Sequence, residues 1–140
     1  MALPNSSSTW EEALTRTVHP QPAATGGTAW AVTDSPWWRD RTKSGGQLVE
    51  QVIHLFDLAR FFLGEPVRVY SMQENLFHRD VADYTVEDAS GTVVRFESGG
   101  MAVFAATNGA IPNRWDYDMR VFLPDLTADF EDANHAVFHH

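Results

Sequence analysis

Apolar residues recur at Leu48, Val52, Leu55, Ala59 and Phe62, the three-and-four spacing of one helix face. Both ends of this stretch carry punctuation. Ser44-Gly45-Gly46 predicts a turn, with Ser44 placed to cap free backbone donors. Gly64 suits the position just past a helix, and Pro66 stops it from continuing. Val49, Ile53, Phe56 and Leu63 widen the apolar stripe, so the pattern predicts a long helix that is mostly buried. Gln47, Glu50, Gln51, His54 and Asp57 are predicted to share one polar strip along it.

Elsewhere the chain reads as strands, and Val67 to Glu74 and Trp115 to Leu123 alternate with the strand period. Thr28 to Thr33, Val67 to Glu74, Thr92 to Glu97, Met101 to Thr107, Trp115 to Leu123 and Leu126 to Phe130 read as strands. Ser98-Gly99-Gly100 predicts a hairpin between two of them. Thr85 to Ala89 is left open between a short strand and a loop, and residues 132 to 140 between a last strand and a loose tail. Trp37 and Trp38 sit in an aromatic, charged loop ahead of the helix, where one of them can line a cleft or a partner surface, or the pair can cover the start of the helix. Residues 1 to 26 differ in composition and read as a tail. Within it Ser8 and Glu11 make a capping-box pattern, which allows a short helix with Trp10, Leu14 and Val18 on one face.

One long helix and five or six meandering strands imply an α+β fold: a mostly antiparallel sheet with the helix packed on one face. The body is expected over residues 27 to 140, without internal repeats. Tyr70, Met72, Phe104, Trp115 and Tyr117 are large for solvent-facing strand positions, so the other sheet face is expected to be an association surface.

Composition narrows the function. The 140 residues carry a formal net charge of −9, which argues against nucleic acid and against anionic membrane. Mean hydropathy is −0.28, and no run approaches the roughly 20 apolar residues of a membrane span. There is no cysteine, so disulfides and thiolate metal sites are excluded. With no secretory signal pattern, a cytoplasmic setting is expected.

The candidate chemistry lies on the helix. A histidine titrates near neutral pH and can move protons, and a carboxylate one turn away can orient its ring. Glu50 and His54 have that spacing, and Asp57 follows one step on. The same three side chains have metal-ligand character, but no fourth ligand stands out, so no metal is expected. No G-x-S-x-G nucleophile motif occurs.

Ser44-Gly45-Gly46, Glu50 four residues before His54, Asp57, and Leu63-Gly64-Glu65-Pro66 together resemble the C-terminal domain of the Gfo/Idh/MocA oxidoreductases, over roughly residues 27 to 130. Pro36-Trp37-Trp38-Arg39-Asp40 and Val67-Arg68-Val69-Tyr70 resemble it too, although Glu50 stands where many members have Asp. The resemblance implies an NAD(P)-dependent oxidoreductase of sugars or polyols. It implies that His54 is either the group that transfers the hydroxyl proton or a substrate ligand, that Glu50 contacts substrate hydroxyls, and that subunits pair through the sheet face as a homodimer. Asp57, Trp37 and Trp38 complete the candidate substrate-binding set.

Hydride transfer also needs a nicotinamide, because no side chain delivers hydride. The family's G-x-G-x-x-G turn belongs to a separate Rossmann domain, and neither it nor the Glu-Lys-Pro segment with the catalytic lysine occurs in these residues. The expectation is therefore a truncated substrate-binding and oligomerisation domain that is not catalytic alone and binds no cofactor itself. A separately encoded Rossmann subunit would complete it. The alternative is a non-catalytic interaction or small-ligand module that uses the sheet face.

Overall fold

The computed structural model describes residues 23–29, 35–109, 116–132 and 134–140. The expected N-terminal helix with Trp10, Leu14 and Val18, and the position of Trp115, lie outside these residues. Among the described residues, seven strands form one mixed sheet: β1 (Ala23–Ala29), β2 (Pro66–Glu74), β3 (Ala89–Phe96), β4 (Met101–Thr107), β5 (Asp116–Leu123), β6 (Leu126–Phe130) and β7 (Ala136–His139). Their spatial order is β2-β3-β4-β1-β5-β6-β7.

This order departs from a meander at one place. β1 lies in the middle of the sheet, parallel to β4 and antiparallel to β5. It starts at Ala23, earlier than the strand expected at Thr28, so Ala23–Gly26 belong to the sheet. Its small residues suit a strand with close neighbours. A Cβ on Gly26 would stand 2.8 Å from the Asp118 carbonyl oxygen. The remaining pairings are antiparallel. The β3–β4 turn forms where Ser98-Gly99-Gly100 predicts it, with Gly99 at φ 84°.

The region before the long helix is not a plain loop. It holds two single-turn helices, α1 (Pro36–Arg39) and α2 (Arg41–Ser44). Asp40 caps α2 through the Thr42 N–H, and Gly45 ends it in the left-handed conformation. The long element begins with a π-helical turn over Leu48–Val52 and continues as α3 (Ile53–Leu63). Gly64 closes α3, its N–H donating to the Arg60 carbonyl at 2.9 Å.

α3 packs over the middle of the sheet, on β1, β4 and β5. Val52, Leu55, Ala59 and Leu63 meet Val94, Phe96, Ala102, Phe104, Met119 and Val121 in the core. The helix stripe is narrower than expected, since Val49 and Ile53 are exposed. The polar strip also divides. Gln47 and Gln51 are buried, whereas His54 and Asp57 are exposed. A π turn holds one residue more than an α turn, which rotates the residues before it relative to those after.

Large side chains distribute over the sheet faces differently from expectation. Phe104 and Tyr117 belong to the helix side, where Phe104 stands edge-on to Phe56 at 4.8 Å. The opposite face still carries exposed Tyr70, Met72, Met101, Val103 and Phe122.

Candidate functional site

Because α3 covers only the middle of the sheet, the helix-side surface of β2 is left open. Val69 is 60% exposed there. The space between α3 and this strand is a groove of about 420 Å³. Ile53, His54, Asp57 and Arg60 line it from the helix, and Val69 and Phe96 from the sheet. Its floor is apolar and its helix rim is polar. Arg60 is already engaged by Glu65, whose Oε1 accepts from the guanidinium at 2.7 and 2.9 Å.

His54 and Asp57 thus come together on one groove. Glu50 lies one turn earlier and is half-buried, outside the groove lining. Among the described residues no hydrogen bond joins Glu50, His54 and Asp57, so the imidazole is not oriented by either carboxylate. Trp37 and Trp38 pack edge-to-face at 5.4 Å on α1. They do not line the groove. Among the described residues, no group of three His, Cys, Asp or Glu side chains is arranged to hold a metal.

The turn that positions the helix is built around Glu87, a residue the periodicity did not single out. Glu87 is 4% exposed, and its Oε1 accepts from the Leu48 N–H at 3.0 Å. Arg41 holds the other oxygen. The carboxylate therefore occupies the amino terminus of the long helix, where orphan donors and the helix dipole favour an anion. Ser44 Oγ accepts from the Gly46 N–H at 3.2 Å rather than capping the helix itself. Gln47, turned into its better-satisfied orientation, accepts from the Thr107 and Asn108 N–H groups at 3.1 Å.

Gly46 has φ 104°, and a Cβ there would come within 2.6 Å of Glu87 Oε2. Gly46→Ala is expected to destabilise the fold by about 2–3 kcal/mol, combining backbone strain with displacement of Glu87. Gly64→Ala provides the comparison. Gly64 has φ 88° but nothing within 4 Å of the added carbon, so it carries strain alone. Thermal melts of both variants should show the larger loss at Gly46.

Beside Glu87, Asp88 is fully buried. It accepts from the N–H groups of Leu76, Phe77 and His78 at 2.6, 2.9 and 2.9 Å, and from His78 Nδ1 at 2.9 Å. The His78 ring stacks on Tyr84 at 4.6 Å. Asp88 thus anchors the loop between β2 and β3. In the sequence this cluster shows only as two adjacent carboxylates, Glu87 and Asp88, which exposed loops display equally often.

Comparison with known proteins places this architecture. A family model described as the GFO/IDH/MocA C-terminal domain matches residues 15–124. Myo-inositol 2-dehydrogenase of Thermotoga maritima is 32% identical over 79 residues, which is 56% of this chain and 23% of that protein. An uncharacterised oxidoreductase of Bacillus subtilis, YrbE, is 34% identical over 79 residues, 56% of this chain and 22% of the relative. The chain thus matches less than a quarter of the length of these relatives. Among solved structures, the WlbA dehydrogenase of Bordetella pertussis, in complex with NADH and UDP-GlcNAcA, superposes with a TM-score of 0.70. The match covers 89% of this chain and 40% of that one at 18% identity, a likeness of fold.

Proposed function

Because the chain belongs to the GFO/IDH/MocA C-terminal domain family, we propose that it is a substrate-binding and oligomerisation domain for NAD(P)-dependent oxidation or reduction of a sugar or polyol. The observation that carries this reading is His54, displayed beside Asp57 on a groove with an apolar floor. A polyhydroxylated ring presents an apolar face and a polar edge, which matches that floor and rim. Glu50, one turn away and outside the groove lining, is the further candidate for meeting substrate hydroxyls. The proton of the reacting hydroxyl is assigned to the exposed imidazole of His54.

A nicotinamide supplies or accepts hydride when bound, and this reading assigns its seat to a separate nucleotide fold. The amino terminus of the long helix is already filled by Glu87, so a pyrophosphate would face a carboxylate there. The nucleotide fold is a partner of this domain rather than part of the described sheet. Val49, Ile53 and Phe61, exposed along the helix, offer an apolar surface for it to cover. The exposed Tyr70, Met72 and Val103 on the opposite sheet face support pairing of two copies there. That face also supports the alternative reading, an interaction module without chemistry.

Calorimetry of the isolated chain with NAD(H) and NADP(H) is expected to show no micromolar binding. Titration with myo-inositol is expected to shift the His54 ring signals in NMR spectra and leave those of His135 in place. His54→Ala should weaken polyol binding about tenfold, as loss of one hydrogen bond to a polar rim does. Micromolar dinucleotide binding, or polyol binding indifferent to His54, would refute the assignment.

A further inference from the structure

β2 is an edge strand of nine residues, and among the described residues nothing pairs with its outer side. Edge strands of this length are ordinarily blunted by prolines, lysines or bulges. Here the protection sits at one end only: Pro66 starts the strand and a bulge lies between Pro66 and Arg68. From Arg68 to Glu74 the backbone edge is open.

The side chains of this segment have an unusual order. Arg68, Tyr70, Met72 and Glu74 project from the sheet face opposite the helix, in register with Arg95, Val93, Gly91 and Ala89 of β3. The sequence runs cation, aromatic, thioether, anion. Arg68 faces Arg95 across the ladder, a like-charge pair that disfavours the sheet on its own. Among the described residues neither arginine forms an ion pair, and neither does Glu74.

We propose that two copies of the chain join edge to edge through β2, antiparallel about Ser71. A two-fold axis there places Arg68 opposite the partner's Glu74, Tyr70 opposite the partner's Met72, and Ser71 opposite its own copy. The pattern is self-complementary, as an isologous interface requires. The contact gives Arg68 the carboxylate that its own sheet lacks, next to Arg95. It also continues the sheet from one copy to the next and satisfies the open backbone edge. On the helix side it brings the partner's Gln73 opposite Val69, which lines the groove. Each groove then borders on the second copy. This interface uses the strand edge, and it is separate from pairing through the broad sheet face.

Charge reversal tests it. In a Val103→Glu background, where the broad face cannot pair, sedimentation equilibrium of the 140-residue chain should show a dimer that Glu74→Arg weakens about tenfold or more, because Arg then meets Arg. Arg68→Glu should do the same, and the double reversal R68E/E74R should restore association. Since the chain has no cysteine, S71C carries the only thiol, and a short bismaleimide should link it to its own copy. Circular dichroism confirms that each variant is folded. Val103→Glu, at the centre of the broad face, should leave the crosslink intact. A monomeric wild type overturns the proposal. So does a dimer lost in Val103→Glu yet indifferent to both charge reversals, which would assign pairing to the broad face instead.

Discussion

Replacing Asp88 by alanine is expected to destabilise the fold by about 3–5 kcal/mol, the scale seen when a buried charge network loses one partner. The reason is the number of donors that converge on this carboxylate. Three consecutive backbone N–H groups, from Leu76 to His78, and the His78 ring all point at it. Without Asp88 these part-buried donors lose the one carboxylate that gathers them. The loop they hold also carries His78 onto Tyr84 and leads into the Glu87 cap of the helix. Urea unfolding monitored by tryptophan fluorescence measures the loss.

The same residue makes the fold sensitive to acid. Burial pushes the Asp88 carboxyl up, but the Leu76 N–H, the His78 ring and the Phe77 and His78 N–H groups outweigh it and hold the group below its ordinary value. A carboxyl that is lowered in the folded state stabilises fully above its unfolded value of about 3.9. That contribution fades as pH falls through the folded value. The stability difference between wild type and Asp88→Asn should therefore be large at pH 7 and shrink below about pH 4.

The second large effect is expected at Phe104. This ring is 2% exposed, sits on β4 beneath the helix and meets Phe56 edge-on. Phe104→Ala removes the aromatic contact and opens a cavity between the helix and the centre of the sheet. The expected cost is about 3–5 kcal/mol. Phe104→Leu keeps most of the volume and should cost less. Denaturation of both variants checks the ordering. The exposed Phe61, equally aromatic, is the control, and Phe61→Ala should change stability by about 0.5 kcal/mol or less.

Periodicity made the long helix, its glycine stop and the β3–β4 hairpin legible, because each rests on local chemistry. Alternation likewise located β2, the hairpin signal located β4, and alternation put Tyr117, Met119, Val121 and Leu123 of β5 on one side. The place of β1 was not legible. Ala-Ala-Thr-Gly-Gly-Thr-Ala has no alternation, and its small residues are explained by neighbours that are distant in sequence. The burial of Gln47 and Gln51 was missed because a π turn is invisible to a fixed helical period. Within the site, His54 and Asp57 lie together on a groove, as a shared helix face allows. Trp37 and Trp38 lie away from it. Glu87 and Asp88 escaped notice because their partners are mainly backbone N–H groups, which leave no pattern of residue types.

The central position of β1 has a consequence for assembly of the chain. Ala23 is paired with Met101 on one side and Phe122 on the other. Without β1, the strands separate into two sequential triplets, β2-β3-β4 and β5-β6-β7, each joined by nearest-neighbour connections. Each triplet can form from nearby segments, but their union awaits a segment synthesised long before either. Such distant closure slows folding. The early strand acts as a keystone: a peptide of residues 23–29, added to a chain that lacks them, would be the piece that locks two ready-made halves into one sheet.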